Sequence, residues 1–478
     1  MRVAIVHYHL EPGGVTRVIE NTLDSFARTS TPPQFVVLSG REYPGDKINN
    51  VQIVEGLDYS SQLNAISPRL LKERMEQAAK AGLGGKPDLW HIHNHSLGKN
   101  PSLTRAVSLL AEESNPLLLH PHDFAEDGRP SNFNALQEVY SRTYPTTSRV
   151  HYAALNHRDY SFLKKVFTGK ASQVHLLPNA ISIPSNNEAI NQSHQDLPEN
   201  LFLYPVRAVR RKNLGELALI AASHPEKHFA NSLGPTNPNF TPIFERWKEF
   251  SNKLDLPISF GLGEQTTCTF PDMVNHANGI ITTSIAEGFG LGFLEPWTSN
   301  KFLHGRNIPE ITQDFSKLGI NLDGLYERLN IDLNHLVNKE KLKLKISATL
   351  KQFFTDYRQG IPKDATETAY RSIVQDGQID FGRLDEAFQE EIILSISKSK
   401  HAQGDIQSQI NLDKLDSKII QKNKESIIEK FAQDTYVKKL NIIYASLLDM
   451  KLDRLEYIKG EDLLNSFLSP KRLNLLRT

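Results

Sequence analysis

Short apolar runs alternate with longer amphipathic ones along this chain, and that alternation restricts its fold more than any other feature. Val3–Val6, Phe35–Leu38, Leu89–Ile92, Leu117–Leu119 and Tyr152–Leu155 read as strands. After the first come Gly13 and Gly14, then Val15, Val18, Ile19, Leu23 and Phe26, spaced as one face of a helix. Strand, glycine turn and helix open a βαβ unit, and repetition of that unit builds a mostly parallel sheet with helices on both faces. Around Pro184–Asn200 the residues turn polar and amide-rich without periodicity, as in a linker. The alternation then restarts. Leu201–Val206, Ile258–Leu262, Gly279–Thr283 and Lys301–His304 read as strands, and Ile243, Phe244, Trp247, Phe250 and Leu254 as a helical stripe. From about Ile311 the chain is rich in Lys, Glu and Gln and reads as helical, with a long amphipathic stretch over Lys422–Asp449. The expected fold class is α/β: two Rossmann-like domains facing across a cleft, with a helical C-terminal extension. The expected domains are 1–183, a linker 184–200, 201–330, and a helical region 331–478 that packs back on both.

Composition narrows the function classes. Lys+Arg and Asp+Glu are both 55, so the net charge is zero and no broad basic footprint for nucleic acid exists. With 478 residues the chain exceeds one ordinary domain. Cys268 is the single cysteine, which rules out an intrachain disulfide and fits a reducing compartment. No run approaches the ~20 apolar residues of a membrane span. The expectation is a cytoplasmic protein without a transmembrane segment, with peripheral membrane contact left open and oligomeric state not specified.

The segment Ala286-Glu287-Gly288-Phe289-Gly290-Leu291-Gly292-Phe293-Leu294-Glu295 follows a predicted strand and leads into a predicted helix. Its glycines let backbone approach a ligand closely, and amides at the helix start face an anion. Glu287 and Glu295 flank the loop, and ionised carboxylates suit hydroxyl donors. A phosphate cradle with two hydroxyl clamps is what a nucleotide sugar requires; a plain glycine turn beside a solvated Glu is the simpler reading, and the paired carboxylates weigh against it. The second segment, Val206-Arg207-Ala208-Val209-Arg210-Arg211-Lys212-Asn213, also follows a strand. Arg207 offers a bidentate fork and Lys212 a point charge, both suited to a diphosphate. A solvated basic turn is the alternative, weakened here by the strand–loop–helix setting.

Together these segments resemble the retaining group-1 glycosyltransferases of GT-B fold. Glu287 and Glu295 with the glycines between them look like that family's donor motif, and Arg207 with Lys212 its donor-pyrophosphate pair. Gly13-Gly14 matches its N-terminal glycine loop, Pro178-Asn179-Ala180 its Pro-Asn-Gly turn, and His122-Asp123 its His-Asp or His-Gly segment. The resemblance covers roughly residues 1–315. It implies that Glu295 holds the nucleotide ribose, that Glu287 contacts the donor hexose, and that the Gly290 and Leu291 amides meet the phosphates. Phe289 and the Gly13-Gly14 loop complete the implied donor set. Departures mark a divergent subgroup: Pro296 follows Glu295, and Lys301–Glu310 replaces the usual Gly-x-Pro-Val strand.

Histidines 7, 9, 91, 93, 95, 120 and 122 lie near the C-terminal ends of predicted strands, the edge where open α/β sheets bind ligands. They read as polar lining for an acceptor, with His93, His95, Asp123 and Arg129 as acceptor-binding candidates; packed rings are the plainer reading for several of them. Zinc is set aside because no cysteine accompanies them and no zinc-binding helix motif is present. No Asp-x-Asp occurs, which agrees with diphosphate neutralisation by Arg207 and Lys212. No metal and no cofactor are expected.

The expected activity is transfer of a hexose from a UDP-, GDP- or ADP-hexose to an acceptor hydroxyl, with retention implied by the resemblance alone. His122, Glu287, Arg207 and Lys212 are the catalytic candidates. The rivals are a sugar-nucleotide epimerase of the same fold and a non-catalytic sugar-nucleotide-binding regulator. A glycan phosphorylase is disfavoured because no lysine-centred pyridoxal phosphate motif is evident.

Overall fold

The computed structural model describes residues 1–60, 65–181, 196–413, 416–472 and 474. Residues 184–195 of the expected linker lie outside them. The chain divides into two compact units: residues 1–182, 354–359 and 429–469, and residues 183–353, 360–428 and 470–478. Each contains one large sheet.

The first unit holds a seven-stranded parallel sheet. Its order in space is Val51–Ile53, Gln34–Ser39, Arg2–Val6, Leu89–His93, Leu117–His120, Val150–Ala154 and Val174–Leu176. The central strands are buried on both faces, which is why they read as near-continuous apolar runs. The register aligns Ile5 with His91 and His93 with His120. Side chains two apart share a face, so His91, His93 and His120 all project from one side of the sheet. That side is covered by helix Gln433–Asp449 from the C-terminal region. Tyr436, Val437, Leu440, Ile443, Tyr444 and Leu447 recur at helical spacing and pack on Val3, Ile5, Leu89 and Leu118. The amphipathic stretch over 422–449 is thus two helices, Ser417–Phe431 and Gln433–Asp449, separated at Ala432. The Phe431 carbonyl at that break accepts a hydrogen bond from Ile181 N, 2.9 Å away.

In the second unit a six-stranded parallel sheet runs Ile258–Phe260, His228–Leu233, Leu201–Arg207, Gly279–Thr282, Leu303–Arg306 and Leu325–Tyr326. Helices Leu214–Ser223, Thr241–Lys253, Phe270–His276 and Pro309–Lys317 accompany it. The C-terminal region is not purely helical: Asn330–Asp332, Gln378–Asp380 and Val374–Gln375 form a small antiparallel sheet. Strands of two or three residues carry too little alternation to show as a pattern. A buried ion network secures this sheet to the larger one. Arg306 donates to both Glu216 oxygens at 2.8 and 2.6 Å and to both Asp380 oxygens at 3.2 and 2.8 Å. Breaking one partner of such a network costs about 3–5 kcal/mol, because the remaining charge is left buried.

Candidate functional site

The donor candidates gather at the C-terminal edge of the second sheet. Strand Leu201–Arg207 ends in a loop with a short turn, Arg210–Lys212, and Asn213 at φ +55° before helix Leu214–Ser223. The neighbouring strand Gly279–Thr282 ends in the glycine loop. Hydrogen bonds stitch the two loops together. Thr283 Oγ1 donates to the carbonyls of Lys212 and Asn213 at 2.9 and 3.2 Å, and Ile285 N donates to the Arg211 carbonyl at 3.0 Å. Lys212 Nζ is ion-paired with Glu287 Oε1, and Ser284 Oγ donates to that oxygen at 2.7 Å. Ser284 Oγ and the Tyr204 hydroxyl are also hydrogen-bonded, 2.6 Å apart. Burial alone would raise the Glu287 pKa, but the charges of Lys212 and Arg211 outweigh it and hold the carboxyl below its usual range. Glu287 is therefore an anchored carboxylate able to accept from a sugar hydroxyl.

Gly290 has φ +88°, and an added Cβ would come within 3.0 Å of both Ile311 and Phe293. Only glycine meets both demands. Among the described residues, apart from its chain neighbours, nothing lies within 4 Å of where a Cβ of Gly292 would sit. Phe289 is buried against Phe315. The helix expected after the loop is only a 3₁₀ turn, Leu291–Phe293, and a four-residue helix, Glu295–Thr298, with Pro296 in its first turn. Glu295 is exposed at the start of that helix. Arg207 is exposed, with Nη1 donating to the Gly234 carbonyl at 3.2 Å.

Three braces on these loops escaped the sequence reading. Arg210 pairs with Glu386 at 3.1 Å, Gln389 Nε2 donates to Asn213 Oδ1 at 3.0 Å, and Asn474 Nδ2 donates to the Ile285 carbonyl at 3.1 Å. All three partners come from the C-terminal region, so that region supports the donor loops. The one sequence signal for this was the length of the tail.

The acceptor candidates lie in the first unit. Asn94, at φ +56°, accepts the His122 and Asp123 amides at 2.7 and 3.1 Å and so shapes the loop after Leu117–His120. Arg129 donates to Asp123 at 2.6 Å and to the Asp127 carbonyl at 2.9 Å. The Asp123 and Arg129 side chains are 41% and 30% exposed. His93, His95 and His122 are buried. His95 donates Nε2–H to the Thr143 carbonyl at 3.1 Å, and His93 Nδ1 lies 2.8 Å from His122 Nε2. Burial, with neighbouring rings adding to it, pushes the pKa values of His93, His120 and His122 well below the ordinary one; His7 and His91 fall to about 3. These imidazoles are neutral at physiological pH. Glu126, in the same loop, lies wholly buried and accepts the hydroxyls of Tyr140 and Tyr144 at 2.9 and 2.8 Å. Gly13 and Gly14 are exposed at the start of helix Gly14–Ala27; Gly13 is extended, so its space rather than its backbone angle sets it apart.

Two units, each built on a parallel sheet flanked by helices, have the architecture of the GT-B fold. Solved structures of that fold superpose over nearly the whole chain. The sucrose-phosphate synthase of Thermosynechococcus elongatus matches with a TM-score of 0.52 at 12% identity, covering 93% of this chain and 98% of that one. A glycosyltransferase from Rickettsia africae gives 0.52 at 14%, covering 94% and 99%. The catalytic domain of Arabidopsis thaliana starch synthase IV gives 0.51 at 11%, again covering 94% and 99%. In sequence, the mannosylglucosyl-3-phosphoglycerate synthase of Petrotoga mobilis is 26% identical over 366 residues, 71% of each chain. No family model matches. The chain has the GT-B fold, and in sequence it is similar to a glycosyltransferase. No helix among the described residues is long and apolar enough to cross a membrane.

Proposed function

We propose that the protein transfers a hexose from a nucleoside-diphosphate sugar to an acceptor hydroxyl with retention at the anomeric carbon. The observation that carries this reading is the Lys212–Glu287 pair, which joins a cation suited to phosphate and a carboxylate suited to hydroxyls at adjacent strand ends. Arg207 and Lys212 offset the charge that develops on the departing diphosphate, the kind of preorganised stabilisation that contributes most in a dry site. Diphosphate binding through two side-chain cations requires no metal. Glu287 accepts from the hexose, Glu295 from the ribose, and the Gly290 and Leu291 amides meet phosphate oxygens beside Phe289. The Gly13-Gly14 turn, with no side chains, leaves room for the donor to approach.

In a same-face mechanism the phosphate oxygen that leaves the anomeric carbon takes the proton of the attacking hydroxyl. The protein then needs no strong base, and His122, kept neutral by burial, acts by orienting the acceptor. Asp123 and Arg129 supply hydroxyl and anion contacts, with His93 and His95 behind them. The Petrotoga relative is by name a synthase of mannosylglucosyl-3-phosphoglycerate. It brings to this chain an acceptor class: a sugar hydroxyl on a conjugate that carries acidic groups.

The test is a panel of UDP-, GDP- and ADP-hexoses, followed first for slow hydrolysis and then for transfer to glycosyl phosphoglycerates, with the product anomer read by NMR. A product of the donor's own anomeric configuration is expected. Tight diphosphate binding without turnover of any sugar nucleotide would favour a sensor, and inversion would remove the same-face mechanism. Replacement of His122 by Ala is expected to lower transfer more than nucleotide affinity; the reverse pattern contradicts its placement on the acceptor side.

A further inference from the structure

The first sheet brings five histidines to one face. The alignment of Ile5 with His91 and of His93 with His120 puts His91, His93 and His120 on the same side, with His7 and His122 following two residues on from Ile5 and His120. Their rings form a near-continuous array. Centroids of His91 and His93 are 4.4 Å apart, those of His120 and His122 also 4.4 Å, and those of His91 and His120 5.3 Å at 10° between planes. A catalytic role on the acceptor side uses at most the outermost of these rings. The three inner ones are at most 1% exposed.

We propose that His91, His93 and His120 form a binding site for one divalent transition-metal ion of the imidazole-preferring class, with zinc the leading member. One ring nitrogen from each of the three lies within 4.8 Å of the other two. Two nitrogens on a tetrahedral ion, each at ~2.0–2.1 Å, stand about 3.3 Å apart; His91 Nε2 and His120 Nδ1 stand 3.1 Å apart. The remaining nitrogens of two ligands are already held as metal-bound imidazoles require. The Tyr444 hydroxyl lies 2.8 Å from His91 Nδ1, and His122 Nε2 lies 2.8 Å from His93 Nδ1. His93 Nε2, the nitrogen left to face the ion, is buried and has no hydrogen-bond partner among the described residues. Buried polar atoms are usually paired, so an unpartnered nitrogen beside two further imidazoles at ligand spacing points to an ion. Three histidines are a recurrent zinc ligand set, in which a water takes the fourth position.

This site was set aside on the sequence because no cysteine and no zinc-binding helix motif accompany the histidines, which lie at i and i+2 on two separated strands. Only the register shows that they converge. The site stands in the first unit, independent of the diphosphate loops, so it does not bear on metal-free donor binding.

The experiment loads the full-length protein during refolding with Zn²⁺ or Co²⁺, removes loose metal by gel filtration, and counts bound metal by mass spectrometry. One equivalent is expected, together with a rise in melting temperature and, for Co²⁺, the visible absorption of a low-coordinate nitrogen site. The variants His93→Gln and His120→Gln should each lose the equivalent and the thermal shift. Tyr444→Phe should keep the site but weaken it about tenfold to hundredfold. No stoichiometric metal on folded wild type, or an equivalent retained by the His93→Gln/His120→Gln double variant, overturns the proposal. Should the glutamine variants fail to fold, X-ray absorption on the loaded wild type decides. A shell containing three imidazole nitrogens upholds the site, and any other shell refutes it.

Discussion

Replacing Lys212 by Met separates what the Lys212–Glu287 pair does for stability from what it does for catalysis. The two side chains are 15% and 14% exposed, so the substitution strands a nearly buried carboxylate. Breaking a fully buried pair costs about 3–5 kcal/mol. Here the Ser284 hydroxyl still donates at 2.7 Å and Arg211 still contributes charge, which reduces the loss to about 2 kcal/mol. The loss depends on pH in a defined direction. Glu287 has a folded pKa below its ordinary 4.5, so its contribution is full above 4.5 and disappears as pH falls through the lower folded value. The gap between wild type and variant should therefore be largest at neutral pH and shrink in acid. Urea unfolding followed through Trp247 and Trp297, in a Trp90→Phe background, reads it.

A second substitution, Glu287→Gln, removes the stranded charge, and the Lys212→Met/Glu287→Gln double variant should regain most of the lost stability. Transfer should not return. A charge-assisted contact to the leaving diphosphate contributes roughly 1.5–3 kcal/mol, or about tenfold to hundredfold in rate. Recovery of both stability and transfer in the double variant would show that the pair is structural only and would refute the reasoning. No stability change in Lys212→Met would refute the pairing itself.

Arg207 is exposed, so Arg207→Ala should leave stability within about 0.5 kcal/mol while lowering nucleoside-diphosphate affinity at least about tenfold. Calorimetry in EDTA and in Mg²⁺ should give the same diphosphate affinity for wild type; a strict Mg²⁺ requirement contradicts neutralisation by Arg207 and Lys212. Burial raises the Glu126 carboxyl to about 7 from 4.5, against the opposing hydrogen bonds from Tyr144 and Tyr140. The folded state then holds the proton more tightly than the unfolded state, so this group's contribution declines as pH rises from 4.5 to about 7. Glu126→Gln should thus gain up to about 3 kcal/mol over wild type at pH 8 relative to pH 4.5, read from urea titrations at the two pH values. Leu440→Ala removes a fully buried side chain between helix Gln433–Asp449 and the first sheet. It should cost about 2–5 kcal/mol, read through Trp90, and leave diphosphate affinity unchanged.

Much of the fold is legible in the sequence, because parallel strands buried on both faces are written as apolar runs. Val3–Val6, Leu89–Ile92 and Leu201–Val206 fall within observed strands. Val51–Ile53, Val174–Leu176 and Leu325–Tyr326 were missed; two or three residues at a sheet edge leave too short a pattern. His228–Leu233 was missed for another reason, since Asn231 and Ser232 interrupt its apolar run. At the donor loops the local motif named Glu287, Lys212 and Arg207. It could not name Tyr204, Ser284, Glu386 or Gln389, whose roles come from pairings tens to hundreds of residues apart. The histidines show the same limit. Their positions at strand ends were readable, but their burial and mutual contacts follow from register and from Tyr444 on a helix more than three hundred residues later.

The central claim is that the second sheet's loops hold a sugar nucleotide for transfer and do not merely sense it. The most direct measurement compares nucleoside-diphosphate affinity with hexose transfer in Glu287→Ala. Glu287 holds Lys212 and is the proposed hexose contact, so the variant should bind free diphosphate as well as wild type or better, with transfer reduced about a hundredfold or more. Transfer that falls only in proportion to diphosphate affinity, or that stays at the wild-type rate, would contradict the claim.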